Sequence, residues 1–250
     1  MRILLTNDDG IMAEGIYILA KELEKEYDIT IAAPETQKSA QSHAITLHRP
    51  LIIKEVKLNG LKSKAYSISG TPADCVRAGI EAILDDKVDL VLSGINLGLN
   101  AGMDILYSGT VSAAVEANIY GIPSIAVSAE YMKGTANYNI AAKYALKVLE
   151  ETASNLLQTN IVLNLNTPFD LNDVNKELKI STIGGPILDY YFVEAGDNGD
   201  RTLTLKGRRK TELVEGTDRY YLEKGYATIT PLKYDLTNNQ LLESIKGWFG

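Results

Sequence analysis

Apolar residues in the first two-thirds of this chain alternate between short continuous runs and stretches with helical spacing. Ile3-Leu4-Leu5 is the first run, and it reads as a short buried strand. Between residues 14 and 25, Ile16, Leu19, Ala20 and Leu23 share one helical face, and charged residues occupy the other. A second strand over 28–33 stops at Pro34. Strand, helix and strand within this length make a βαβ unit with a right-handed crossover. Short strands over 44–47, 51–56 and 65–69 form a β excursion. A helix from Pro72 to about residue 84 turns Cys75, Val76, Gly79, Ile80 and Ile83 inward. A strand over 88–92, a helix entered at 108–110, a strand over 122–128, a helix over 137–157 and a strand over 161–165 continue the alternation. This order predicts an α/β fold: a Rossmann-like, doubly wound, mostly parallel sheet.

The pattern changes in the last seventy residues. An edge strand fits 178–183. Strands over 190–195 and 201–205 flank Gly196-Asp197-Asn198-Gly199-Asp200, a hairpin signature centred on Asn-Gly. A late strand fits 225–232, and 238–249 reads as an amphipathic helix with Leu241, Leu242, Ile245, Trp248 and Phe249 apolar. A hairpin and tail added to a complete sheet must bury their apolar side, either on their own subunit or by exchange with a second one. The expected division is a catalytic core over 1–185, with its β excursion near 44–69, and an oligomerisation extension over 186–250. The basic cluster Lys206-Gly207-Arg208-Arg209-Lys210 is a solvated hairpin face or a guide for polyphosphate.

Composition narrows the function. A chain of 250 residues with net charge −7 and no broadly basic region is not built to bind a nucleic-acid polymer. The single Cys75 rules out an internal disulfide and a Cys-rich zinc site. No apolar run reaches the length of a membrane span, and the N-terminus enters a strand without a leader pattern. These features predict a cytoplasmic protein.

Candidate chemistry sits just past the strand ends, where open α/β sheets bind ligands. The first strand stops at Asn7-Asp8-Asp9-Gly10. Adjacent carboxylates repel unless a cation lies between them, although these four are also ordinary turn residues. The loop after the second strand carries Ser39, Ser42 and His43. His43 is either a structural histidine or a contact or acid for substrate. In Ser69-Gly70-Thr71-Pro72-Ala73-Asp74, Thr71 fits an N-cap, Pro72 the first helical position and Asp74 the third. That is a well-made helix start, or an anion site. After the third parallel strand, glycines recur at Gly94, Gly98 and Gly102, a spacing that fits neither a dinucleotide fingerprint nor a Walker loop. Asn96 in this stretch offers a neutral oxygen ligand, or only a turn residue. Ser108-Gly109-Thr110 opens a helix rich in small residues and suits either a phosphate or an N-cap. Asp8, Asp9, Ser39 and Asn96 make an all-oxygen set for Mg²⁺ or Mn²⁺ on one rim. With a phosphate cradle at Ser108, Gly109 and Thr110, the set suggests metal-assisted phosphoryl hydrolysis. There is no G-x-S-x-G elbow, and the only histidines are His43 and His48.

These motifs, with Tyr107-Ser108-Gly109-Thr110-Val111-Ser112-Ala113-Ala114 and Gly225-Tyr226-Ala227-Thr228-Ile229-Thr230-Pro231-Leu232, run in one order across almost the whole chain. In that order the chain resembles the SurE family of stationary-phase survival proteins. The resemblance implies a Rossmann-like core with a C-terminal extension exchanged between subunits of a homodimer or homotetramer. It implies one divalent cation held at Asp8, Asp9, Ser39 and Asn96. It implies phosphate contacts at Ser108, Gly109 and Thr110, and catalysis centred on Asp8, Asp9 and Asn96. The implied activity is that of a 5′-nucleotidase acting on nucleoside monophosphates, often with 3′-nucleotidase and short-chain polyphosphatase activity. The chain departs from the family where Thr217-Asp218 is followed by Arg219-Tyr220-Tyr221-Leu222. A nucleotide- or metal-binding regulatory module without turnover, or an oligomeric scaffold, are the other readings of this fold.

Overall fold

In the computed structural model, which describes residues 1–196, 198–209 and 212–249, the first apolar run lies at the centre of the sheet. It forms β1 (Arg2–Thr6), and residues 3–6 have no solvent exposure. A strand buried on both faces has no need of alternation, which is why it reads as continuous apolar sequence. Helix α1 (Glu14–Leu23) then returns the chain to β2 (Asp28–Pro34), parallel to β1. The excursion supplies β3 (Ile53–Val56) and β4 (Lys64–Ile68), of which β4 is parallel to β2 and β3 antiparallel to β4. After α2 (Pro72–Ala78) comes β5 (Leu90–Leu97), on the other side of β1. Then follow α3 (Gly109–Ile119), β6 (Ser124–Ala129), α4 (Tyr138–Leu156) and β7 (Val162–Thr167), with β5, β6 and β7 parallel.

Alternate residues of β1 face opposite layers. Ile3 and Leu5 pack with Ile16, Leu19 and Leu23 of α1 and with Tyr144 and Leu149 of α4. Leu4 packs with Cys75 and Val76 of α2 and Ala113 and Ala117 of α3. Helices therefore cover both faces, and the sheet is doubly wound as the sequence predicts. The C-terminal part adds β8 (Lys179–Ile180), the hairpin strands β9 (Leu188–Ala195) and β10 (Arg201–Arg209), α5 (Asp218–Glu223), β11 (Thr228–Leu232) and α6 (Leu242–Lys246). The main sheet has the order β3-β4-β2-β1-β5-β6-β7-β11-β8, while β9 and β10 pair only with each other.

Several expectations are corrected. The glycine stretch after residue 92 is not a loop at first, because β5 runs on to Leu97 and takes Asn96 into the strand. Its register against β6 slips between Ser93 and Asn96. Backbone groups between two flanking strands need partners, and Gly94 permits the close fit: a Cβ there would lie 2.3 Å from the Val127 carbonyl oxygen. Residues 44–47 are not a strand, since Thr46 gives its amide and hydroxyl to the Asp74 carboxylate. The helix from Pro72 stays α-helical only to Ala78 and continues as a π-helical turn over Gly79–Ile83. The terminal helix shrinks to a 3₁₀ turn at Asn239–Leu241 and the five residues of α6. Its apolar stripe meets nothing that buries it: Trp248 is 74 % exposed and Phe249 87 %. Without packing, so short a helix gains little. The C-terminal stretch is also more than an appendage, because β11 joins the main sheet antiparallel to β7. Asp197 of the hairpin turn and Lys210 of the basic cluster lie outside the described residues.

Candidate active site

The turn after β1 is closed by Asn7, whose side chain accepts from the Gly10 amide at 3.1 Å and donates to the Gly10 carbonyl at 2.9 Å. This leaves Asp8 and Asp9 at the rim with different surroundings. Asp8 is almost fully buried, and its Oδ1 accepts a 2.5 Å hydrogen bond from the Thr110 hydroxyl. Its main-chain carbonyl accepts from the Lys38 amide at 2.7 Å, which fixes the start of the Ser39 loop. Asp9 accepts from the Leu97 amide at 3.0 Å and from the Gln37 side-chain amide at 3.4 Å. One aspartate is thus tied to α3 and the other to the end of β5.

Burial pushes the Asp8 carboxyl up to about 6, the Asp9 charge adds to this, and the Thr110 bond opposes it. Asp9 is also raised, mainly by burial, against its bonds from Leu97 and Gln37. Two neighbouring acids driven towards their neutral form by loss of water are relieved by a bound cation.

The neutral oxygens come from the Ser39 loop and from the end of β5. Gln37 donates from one nitrogen to Asp9 and, at 3.0 Å, to the Ser39 hydroxyl, so a single side chain bridges the carboxylate and Ser39. Asn96 donates its amide nitrogen to the Gly98 carbonyl at 2.8 Å, and its Oδ1 accepts no hydrogen bond among the described residues. The set is hard oxygen throughout, two carboxylates with an amide and a hydroxyl oxygen, and it fits Mg²⁺ or Mn²⁺ better than a soft metal.

Helix α3 approaches this cluster end-on. Ser108 is its N-cap, accepting from the Val111 amide at 3.1 Å. A Cβ on Gly109 would stand 2.9 Å from the Asp8 Cβ, so only glycine lets the helix come this close. The positive end of the helix dipole then faces a carboxylate. Of the two readings that the sequence offered here, phosphate contact or N-cap, Ser108 takes the cap, and the Thr110 hydroxyl is engaged by Asp8. The structure brings Gly109 and Thr110 against Asp8, beside the carboxylates with which the sequence grouped them.

Other candidates settle into structural positions. Ser42 donates to the Leu106 carbonyl at 2.7 Å, and His43 pairs with Glu116 of α3 at 2.6 Å. Glu116 is buried; burial alone would raise it, but His43 and Arg77 hold it below the usual carboxylate range. The Ser42 contact pins the Ser39 loop to the turn before α3 and the His43 contact pins it to α3 itself, and Ala40 and Ser42 in that loop adopt positive φ of 57° and 53°. The helix start at Thr71 is closed by its own capping box. The Asp74 carboxylate already accepts from the Thr71 and Thr46 amides, and Thr71 caps the helix in return.

Sequence reasoning missed two groups. Gln37 was detectable, two residues before Ser39 in the same polar loop. The second group locks the chain after Asn96. Asn100 takes Asn166 Oδ1 on its amide, Ser128 on its side chain, and the Asn164 and Asn166 side chains on its carbonyl, at 2.8 to 3.1 Å. Beyond it, Asp218 accepts from the Gly102 amide at 2.7 Å and from the Gly184 amide at 2.8 Å. Arg219 donates to the Ala101 carbonyl at 2.9 Å. These partners lie 28 to 118 residues apart in sequence, and no local pattern announces them.

The family model described as "Survival protein SurE" matches residues 3–186. A Clostridium botulinum (strain Kyoto / Type A2) protein named 5′-nucleotidase SurE is 51 % identical over 251 residues, covering 100 % of this chain and 99 % of its own. A Clostridium tetani protein of the same name is 50 % identical, with 100 % of each chain covered. Among solved structures, the SurE protein from Aquifex aeolicus superposes with a TM-score of 0.86 at 34 % identity, over 100 % of both chains.

Proposed function

This chain belongs to the SurE family, and from that premise we propose that it is a divalent-metal-dependent phosphatase releasing phosphate from nucleoside monophosphates. It is a 5′-nucleotidase, a phosphoric monoester hydrolase, with 3′-nucleotidase and short-chain polyphosphatase activity beside it. The observation that carries the reading is the paired Asp8 and Asp9, with Asp8 bonded to Thr110 at the N-terminus of α3. Carboxylates for a cation and helix amides for an anion then meet in one place.

Asp8, Asp9, Ser39 and Asn96 would hold the cation, Mg²⁺ or Mn²⁺. When bound, it supplies neutralisation of phosphoryl charge and a lowered pKa for coordinated water. The rest falls to the chain. Thr110 fixes the rotamer of Asp8, and Leu97 and Gln37 fix that of Asp9. The entrance to α3 orients the phosphoryl oxygens. Asp8 or Asp9 orients the attacking water and accepts its proton. The P–O ester bond breaks, and the departing nucleoside oxygen takes up a proton.

The exposed apolar hairpin and tail support a homodimer or homotetramer formed by exchange, and the reading is of a cytoplasmic enzyme. No helix among the described residues is long and apolar enough to cross a membrane. The test is phosphate release from metal-stripped protein given nucleoside 5′- and 3′-monophosphates with Mg²⁺, Mn²⁺ or no metal. Release only with metal supports the enzyme. Saturable nucleotide binding without release from folded protein would make the chain a regulatory module instead.

A further inference from the structure

We propose that the cavity beside the segment that follows β5 is the nucleoside subsite, where the ribose and base lodge while the phosphate lies at the Asp8–Asp9 rim. The proposal rests on the nucleotidase reading and names the part of the substrate that reading leaves unplaced. The rim is made of carboxylates, hydroxyls and amides, and it offers no surface to an apolar base. Farther along the same edge of the sheet lies a cavity of about 510 Å³, walled by residues that follow β5, β6 and β7 and by α5. That volume is in the range of small-molecule sites.

Three features point to a nucleoside. The first is a shared wall. The segment that begins at Asn96 lines the cavity through Leu99, and the Asn100 amide network and Arg219 hold that segment rigidly. Phosphate site and cavity therefore keep a fixed relation. The second is direction. The order β1-β5-β6-β7 puts the cavity one to two strands beyond β5. Counted from the Asp8–Asp9 rim at the end of β1, that is two to three strand spacings, roughly 10–14 Å, the reach of an extended nucleoside monophosphate from its phosphate to the far edge of its base. The third is chemistry. Leu99, Met132 and Leu222 give apolar surface for a base, and Glu130 and Asp170 give acceptors for ribose hydroxyls and exocyclic amines. Around this cavity the carboxylates of Asp104, Glu130, Asp170 and Glu223 outnumber the Arg219 guanidinium, which disfavours a second phosphate. Another cavity, of about 440 Å³, opens beside Arg2 and Asp28, where β1 and β2 begin, at the far end of the strands from the rim.

The test compares Met132→Trp, which fills the cavity, and Asp170→Lys, at an exposed position, with the unaltered protein. Substrates are 5′-AMP, p-nitrophenyl phosphate and tripolyphosphate, each with Mn²⁺. Met132→Trp is expected to lower the ratio of kcat/KM on AMP to that on p-nitrophenyl phosphate by roughly tenfold or more, through KM. Inhibition by adenosine should weaken by a similar factor. Asp170→Lys should shift the balance from AMP towards tripolyphosphate. Equal losses on all three substrates, or no change on any, would overturn the subsite while leaving the nucleotidase standing. Unaltered protein inactive on every phosphate ester would overturn the nucleotidase reading, and the subsite with it.

Discussion

The Asp8–Asp9 rim and the β9–β10 hairpin are opposites in how far the chain completes them. At the rim, polar groups are buried and each carboxylate has partners from a different element, Thr110 of α3 for Asp8 and Leu97 of β5 for Asp9. On the hairpin, apolar groups are exposed with nothing over them: Tyr190, Tyr191, Phe192 and Val193 form a run about half accessible, facing Leu203 and Leu205 on the other strand. A lone two-stranded ribbon is marginal in water. At the rim the polar groups are buried and bonded within one subunit, whereas the hairpin leaves its apolar side exposed among the described residues. The contrast teaches that polar burial marks chemistry here, and apolar exposure marks assembly.

The largest effect should come from Asp9→Asn. The amide keeps the size of the side chain and removes its charge, so turnover is expected to fall on the order of 10³-fold with the melting temperature nearly unchanged. Phosphate release and thermal unfolding measured together check this, and an active, metal-dependent variant would break the account of the rim.

Next in size is a pH effect on metal-free protein. Asp8 has a folded pKa of about 6, above the ordinary 3.8. The folded state therefore holds this proton where the unfolded chain has lost it. Its stabilising contribution is complete below about pH 4 and is lost as pH rises to about 6, on the order of 3 kcal/mol, with Asp9 acting in the same direction. Denaturant titrations from pH 4 to 7 in a chelator would show stability falling. With Mn²⁺ added, the stabilisation by metal should grow across the same window. A flat profile in the chelator would mean that the two carboxylates are not strained by their burial.

Gly109→Ala tests the approach of α3. A Cβ held 2.9 Å from the Asp8 Cβ must displace one of them. Misplacement on this scale is expected to cost roughly 10²-fold in activity and about 1–3 kcal/mol in stability. Wild-type rates from this variant would detach α3 from the site.

The smallest effect on activity should come from the hairpin. Val193→Lys with Leu203→Glu replaces an apolar cross-strand pair by opposite charges, which keeps the ribbon while removing its sticky face. Light scattering should report smaller assemblies. Turnover of p-nitrophenyl phosphate should stay within a few-fold of the unaltered protein. Loss of turnover along with assembly would erase the difference between the two regions, because the rim would then depend on a second subunit.

Much of this was legible in the chain itself. The βα alternation, the core strands and the rim positions of Asp8, Asp9 and Ser39 follow from local patterns, since a buried parallel strand must be apolar and a ligand loop must follow its end. The capping box at Thr71 and Asp74 was equally plain, because both partners lie within one turn. Legibility failed where the partner was distant. Asn96 read as a loop residue but sits in β5, since flanking strands claim the backbone of a glycine-rich segment. Thr110 read as a phosphate contact or a cap, and its bond to Asp8, 102 residues away, had no local signal.

By itself, the sequence determined the order of elements, the doubly wound sheet and the residue types gathered at its rim, because hydrophobic period and turn chemistry act over a few residues. Only the tertiary structure decided which groups meet. It chose Thr110 for Asp8, Gln37 as the bridge between Asp9 and Ser39, Asp218 and Arg219 as the hold on the segment beyond Asn96, and Glu116 for His43. Those choices depend on how α3, the Ser39 loop and α5 dock on the sheet. That docking is fixed by packing summed over the whole core, such as the closeness that Gly109 allows, and no short stretch of sequence carries it.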